Sequence, residues 1–411
     1  MTTTPMTTTP RRQTVVPAWR LWILLLVGMI AIGLVGVART LYYGLEVTNL
    51  TDQVPWGLWI TVDLSAIALG AGAFTFSAVV YIFHIKRFQP VARMAVFVGF
   101  IGYSSAMIAL AMDIGRPDRF WHPLVYWNVH SVLWEVTMCI ILYSTVLVVE
   151  FVPILLESDY FIDKPRIRSV GYMLHKLTPI MAVVGLALSM LHQSSLGATY
   201  GVLAGREIWF KPSMPVMFIL SAIAGGVSAT LLITLIASEL FQREIADKYL
   251  RRDIARLAAA ALLAYLYIKI WDWAATSYYT HAPGATQAVE RLQATTPYTR
   301  SFWLVEIFLC GLVPAIIMLY RPFRRKVWLL MIALVLIILG VIVNRWNVTL
   351  SGLVAPPHWS PGVLGNVVTV AYFPSWTEVA VAVGIVGYAL LALSLGLRYL
   401  PLFPRYDRES D

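Results

Sequence analysis

Ten apolar runs, each near the length a helix needs to cross a bilayer, limit what this chain can fold into before any motif is read. A spanning helix takes about 20 mostly apolar residues. The runs cover approximately residues 19–41, 57–84, 91–113, 130–155, 171–192, 213–240, 254–280, 301–320, 327–347 and 376–398. Lipid offers no partner for backbone N–H and C=O groups, so runs of this kind become helices rather than open strands. Only 13% of the residues are charged, so the runs hold few groups that would keep them in water. The expected fold is therefore an all-α integral membrane protein with about ten transmembrane helices. The net charge of +9 lies in short basic clusters between the runs. That pattern sets topology and excludes a nucleic-acid partner; membrane lipid is the first partner implied.

Basic residues concentrate on the side of both termini, for example Arg11, Arg12, Lys86, Arg87, Lys164, Arg251, Arg252, Arg324 and Arg325. By the positive-inside rule both termini are cytoplasmic, in a multi-pass protein of the inner (cytoplasmic) membrane, and the loops 42–56, 114–129, 193–212, 281–300 and 348–375 face outward. Arg39, Arg116, Arg119, Arg206, Lys211 and Arg345 fall on the outer side. The Thr/Pro-rich start lacks a small-residue cleavage site and reads as a disordered tail ahead of an uncleaved anchor.

Two short echoes divide the chain. LSAIALGAG (64–72) resembles LSAIAGGVS (220–228), and Glu135 precedes Cys139 as Glu306 precedes Cys310. Helices 2–5 and 6–9 then form two four-helix bundles of the same orientation. The expected division is 1–18 for the tail, 19–45 for the first helix, 46–192 for the first bundle, 193–350 for the second, and 351–411 for an outer loop, the last helix and the second tail. Gly70, Gly72, Gly225 and Gly226 read as points of close helix approach.

Charged side chains within spanning segments are costly and therefore informative. Asp63, Glu135, Glu306 and Glu378 lie shallowly below the outer face, and Asp113, His192 and Asp272 lie near the outer ends of ascending helices. Lys269 and Asp272, three residues apart, can neutralise one another. Trp56, Trp59, Trp121, Trp127 and Trp134 form either an interfacial belt or a slot for a ring, with Trp59 the candidate ring contact. Asp63, Glu135 and His192 come from three helices at similar depth without a neutralising neighbour in sequence. The inner half offers hydroxyls, Tyr103, Ser104, Ser105 and Tyr143 among them.

Carboxylates and an imidazole inside an apolar bundle suit a lipophilic carrier that takes up protons with its electrons, that is, a quinone. A proton- or ion-coupled transporter would use the same charges, and a purely structural anchor is a third reading. Two cysteines cannot hold an iron–sulfur cluster or a structural zinc, so the chain is expected to carry neither and no metal site. Haem needs two facing histidines; the pairs His130 with His192 and His84 with His175 lie near helix ends, and no haem is expected.

The segments VTNLTDQVPWGLWITVDLSAIALGAGAFT (47–75), DIGRPDRFWHP (113–123), NVHSVLWEVTMC (128–139) and LHQSSLGATYG (191–201) resemble the NrfD/PsrC membrane-anchor family, and within it the ten-helix anchor of [NiFe] hydrogenase-2-type complexes. The resemblance implies a quinone-binding subunit, for menaquinone or ubiquinone, inactive alone. It implies docking through the outer face to a ferredoxin-like iron–sulfur subunit and, through that, to a catalytic [NiFe] hydrogenase or molybdopterin subunit. It carries the quinone pocket onto Asp63, Asp113, Arg116, Glu135 and His192, with Tyr103 and Tyr143 on the proton path. In that reading His192 and Asp63 serve the ring carbonyls, Arg116 orients, Glu135 relays protons inward, and the first bundle keeps the quinone chemistry.

Overall fold

The computed structural model describes residues 15–161, 163–206, 208–279, 299–354 and 372–403. Most of the expected loops 281–300 and 348–375, and both tails, lie outside the described residues. Among the described residues every regular element is helical, and ten helices are long and apolar enough to cross a membrane. They are α1 (Val15–Tyr43), α2 (Leu58–Ile82), α3 (Gln89–Asp113), α4 (Val132–Leu156) and α5 (Thr178–Gly201). The remainder are α6 (Met214–Leu240), α7 (Lys248–Ala274), α8 (Ser301–Leu319), α9 (Val327–Val354) and α10 (Trp376–Tyr399). With ten crossings α1 begins and α10 ends on one face, here called the terminal face; the other is the distal face.

Two helices depart most from expectation. The fifth was expected over 171–192, but Pro179 lies in the first turn of α5, where its missing N–H costs nothing, and it fixes the start at Thr178. The preceding residues form a separate amphipathic helix, Pro165–His175. His192 is consequently in the interior of α5, nine residues before its end, about 13 Å from the distal face at 1.5 Å per residue. The ninth helix was expected to stop at 347, yet it continues through TLSGLV to Val354. Arg345, expected among the outer cations, is completely buried as a result.

The two bundles are closed rings of the same design. In the first, α2 packs on α3, α3 on α4, α4 on α5 and α5 back on α2; in the second, α6, α7, α8 and α9 repeat that cycle. The rings meet along α2 and α6, flanked by α5 against α6 and by α9 against α2. This is the arrangement an internal two-fold relation produces. α1 and α10 pair with each other and lean on α3.

Glycine makes the central contact possible. A Cβ added at Gly72 would lie 1.8 Å from the Ala222 carbonyl oxygen, and one at Gly226 2.1 Å from the Ala73 nitrogen. Both obstacles are backbone, which cannot turn aside. Gly72→Ala is expected to lower the thermal midpoint of the purified protein, with a cost of about 1–3 kcal/mol typical of overpacking. Gly28→Ala, where nothing lies within 4 Å of the added carbon, should leave the midpoint unchanged. An unaltered midpoint for Gly72→Ala would refute the tight α2–α6 contact.

Candidate functional site

One face of α5 organises the first bundle. Ser189, His192 and Ser195 recur at three-residue intervals, with Gln193 and Leu196 beside them, and all five are buried. Ser189 meets Thr75 of α2 at 3.1 Å and donates to the Ala71 carbonyl at 3.2 Å. Ser195 donates to Glu135 Oε1 at 2.6 Å. Between them, His192 Nδ1 lies 2.9 Å from the Tyr103 hydroxyl of α3.

The Tyr103–His192 pair decides what the imidazole can do. With the hydroxyl as donor, Nδ1 is the acceptor and the neutral ring carries its proton on Nε2. That nitrogen is buried without a hydrogen-bond partner among the described residues. Asp63 Oδ1, both amide atoms of Gln193 and Asp113 Oδ1 share this condition. Asp63 is the sixth residue of α2, buried, and within electrostatic reach of Asp113 and Tyr103. Buried polar atoms normally find partners, so several unmet ones within a single bundle mark a place where a ligand or water supplies the missing half.

Glu135 is less deep than its apolar surroundings imply. It is the fourth residue of α4 and only half-buried, following the Ser131 cap whose hydroxyl accepts from the Trp134 N–H. A carboxylate in the first helical turn faces unpaired N–H groups and the positive end of the helix dipole, which offsets part of its desolvation. Tyr143, fully buried, packs edge-on against Tyr103 with ring centroids 4.4 Å apart. Two turns further along α4, Glu150 is buried with Oε1 unpartnered among the described residues. Sequence reading passed over Glu150 because it lies near the end of its apolar run. Gln193 was passed over although it lies inside the quoted LHQSS motif.

Other expected site residues lie apart from this group. Arg116 is in the distal loop with its side chain 63% exposed, and its Nε and Nη2 donate to the two Asp118 oxygens at 3.0 Å. That fork holds the Asp118 carboxyl below the usual carboxylate range. Trp59 is no belt residue. It is buried, and its indole N–H donates to the Glu378 carbonyl at 3.1 Å. Trp121 and Trp127 are exposed, as a belt requires. Glu378 serves structure: it completes a capping box with Ser375 at the start of α10 and accepts from the Asn49 N–H and the Tyr372 hydroxyl.

The second bundle holds its charges differently. Lys269 and Asp272 do not pair. Lys269 meets Glu306 Oε1 at 2.9 Å, and Asp272 accepts from Lys211 and Ser213, each at 2.7 Å. Glu306 also accepts from Tyr265 at 2.8 Å, Asn344 at 2.9 Å and Asn347 at 2.7 Å. Arg345 donates to Ser221 at 3.0 Å and lies over the Phe218 ring. All four oxygens of Asp272 and Glu306 are engaged, whereas the first bundle leaves several buried polar atoms without a partner among the described residues.

A family model for polysulphide reductase NrfD matches residues 46–357, most of the chain and both bundles. The chain belongs to the NrfD family. Among NrfD-family relatives, the integral membrane subunit of menaquinone reductase from Nitratidesulfovibrio vulgaris is 35% identical, covering 91% of this chain and 89% of that protein. The Hdr-like menaquinol oxidoreductase integral membrane subunit of Archaeoglobus fulgidus is 26% identical over 94% of both chains. A protein of Escherichia coli named "Probable Ni/Fe-hydrogenase 2 b-type cytochrome subunit" is 26% identical over 92% of this chain and 91% of its own length.

The name of the last relative raises the question of haem. His192 is buried, while His130, His84 and His175 are exposed in a loop or at helix ends. These four do not form the facing buried pair that bis-histidine ligation uses. No group of three or more His, Cys, Asp or Glu suited to a metal ion occurs among the described residues.

Proposed function

We propose that this chain is the quinone-reactive membrane subunit of a respiratory oxidoreductase complex, exchanging electrons between an iron–sulfur partner on its distal face and the menaquinone pool. The observation that carries the reading is the buried Asp63, Tyr103 and His192 group with unmet hydrogen-bonding atoms at the distal end of the first bundle. The names of the menaquinone reductase and menaquinol oxidoreductase relatives support the ligand class. The basic clusters support a cytoplasmic terminal face in an inner membrane, so the partner docks from outside and leads to a catalytic subunit. Reducing a quinone consumes two electrons and two protons. His192 Nε2–H donates to one ring carbonyl while Asp63 and Gln193 hold the other side of the head group.

Protons reach this group through the bundle's own side chains. Tyr103 bonds His192 and packs against Tyr143, and water between the unpartnered Tyr143 hydroxyl and Glu150 carboxyl would continue the line toward the terminal face. Ser195 connects Glu135 to the helical turn that carries His192. Glu135→Gln keeps the shape but cannot carry a proton, and is expected to slow quinone-linked turnover in the assembled complex about 10²-fold, the lower end for a proton-transfer residue. Turnover close to the parent would remove Glu135 from the relay. Solvent extraction of the purified protein should yield quinone; solute-dependent transport without bound quinone would instead establish a transporter.

A further inference from the structure

The second bundle contains a cleft at the distal ends of α6, α7, α8 and α9. Its place corresponds, by the internal two-fold relation, to that of Asp63, Asp113, Glu135 and His192 in the first bundle. The walls are largely apolar and aromatic, with Met217, Trp273, Phe302 and Trp303 beside Lys211 and Lys269. Trp273 and Trp303 meet edge to face at 5.2 Å.

Two features show that this is more than a packing gap. The helices bordering it are widened there: residues Ala275–Tyr279 and Ser301–Leu312 are wound as π-helix, a winding that is costly and recurs at functional positions. The polar walls are also unbalanced in hydrogen bonding while balanced in charge. Lys211 with Asp272, and Lys269 with Glu306, cancel as charges. Both oxygens of each carboxylate are already taken, by Ser213 and Lys211 in one case and by Tyr265, Asn344, Asn347 and Lys269 in the other. Each ammonium has three donors and a single hydrogen-bond partner among the described residues. The cleft therefore has ammonium donors to spare and no net charge to attract an anion.

We propose that this cleft is a second quinone-class site, taking an uncharged aromatic ring whose carbonyl oxygens accept from Lys211 and Lys269 while Trp273, Phe302 and Trp303 flank the ring. The inference shares only the ligand class with the proposed function.

The test uses the full-length protein in lipid nanodiscs, a photoreactive azidonaphthoquinone with a prenyl tail, and peptide mapping after irradiation. Label is expected in α7 or α8 peptides around Trp273 and Trp303 as well as in the first bundle. Thr276→Trp, which fills the cleft without touching either ion pair, should abolish the α7 and α8 label and leave the first-bundle label; Ser351→Phe serves if that variant does not assemble. Label confined to the first bundle at saturating probe would overturn the inference, as would label unchanged by filling the cleft. Displacement by phosphatidylglycerol but not by unlabelled menaquinone would also overturn it, assigning the cleft to lipid. Label in the cleft alone would leave this inference standing and unseat the first-bundle site.

Discussion

Replacing His192 by Gln is expected to lower quinone-linked turnover of the assembled complex by about 10²–10⁴-fold, the range for losing a positioned proton donor. Gln is chosen because His192 is wholly enclosed, and its bulk limits the cavity that Ala would leave. The effect should fall on turnover rather than on complex assembly. Tyr103→Phe provides the companion measurement. It keeps the ring packing against Tyr143 and removes the hydroxyl that faces Nδ1, so the imidazole loses the partner that fixes its tautomer. A smaller loss, about tenfold, is expected there. Steady-state assays with a soluble menaquinol analogue check both, and full activity for His192→Gln would remove the imidazole from the chemistry.

The largest stability effect is expected in the other bundle. Glu306→Ala strands the Lys269 ammonium, which is nearly enclosed, and takes the acceptor from Tyr265, Asn344 and Asn347 together. Breaking a buried ion pair from one side costs about 3–5 kcal/mol. Thermal unfolding in detergent should show a large drop for Glu306→Ala and partial recovery in the Glu306→Ala, Lys269→Met double variant, where the unpaired charge is gone. Glu135→Ala should change stability far less, since that carboxylate is half-buried and held by one serine. Equal losses for the two glutamates would contradict the division of labour between the bundles.

That division was only half legible in the sequence. The ten helices could be read because lipid leaves a long apolar run no alternative, and the glycines at 72 and 226 because close backbone approach needs them. The echo of Glu135 in Glu306 pointed to two related halves, and the two rings pack in the same cycle. It could not reveal that one copy is sparsely partnered and the other saturated, because the saturating groups arrive from α7 and α9. Lys269 and Asp272 show the same limit: spacing along one helix makes them partners, but Glu306 from α8 and Lys211 from the loop before α6 reach them first. The start of α5 was in principle readable from Pro179, and with it the depth of His192. Arg116 was drawn toward the pocket by its motif, whereas Asp118, two residues on, satisfies it locally.

The pairing of α1 with α10 bears on how the protein is made. The two lie so close that a Cβ at Gly33 would come 2.5 Å from the Gly384 Cα. The first span to enter the membrane thus waits through eight others for its main neighbour. The start of α10 also supplies the Glu378 carbonyl that anchors Trp59, one turn before Asp63. A nascent chain halted before Trp376 therefore has both bundles in the bilayer but lacks the carbonyl that holds Trp59. On the proposed function, redox competence would be the last property acquired in biosynthesis, so an interrupted chain would not meet the quinone pool with a working site.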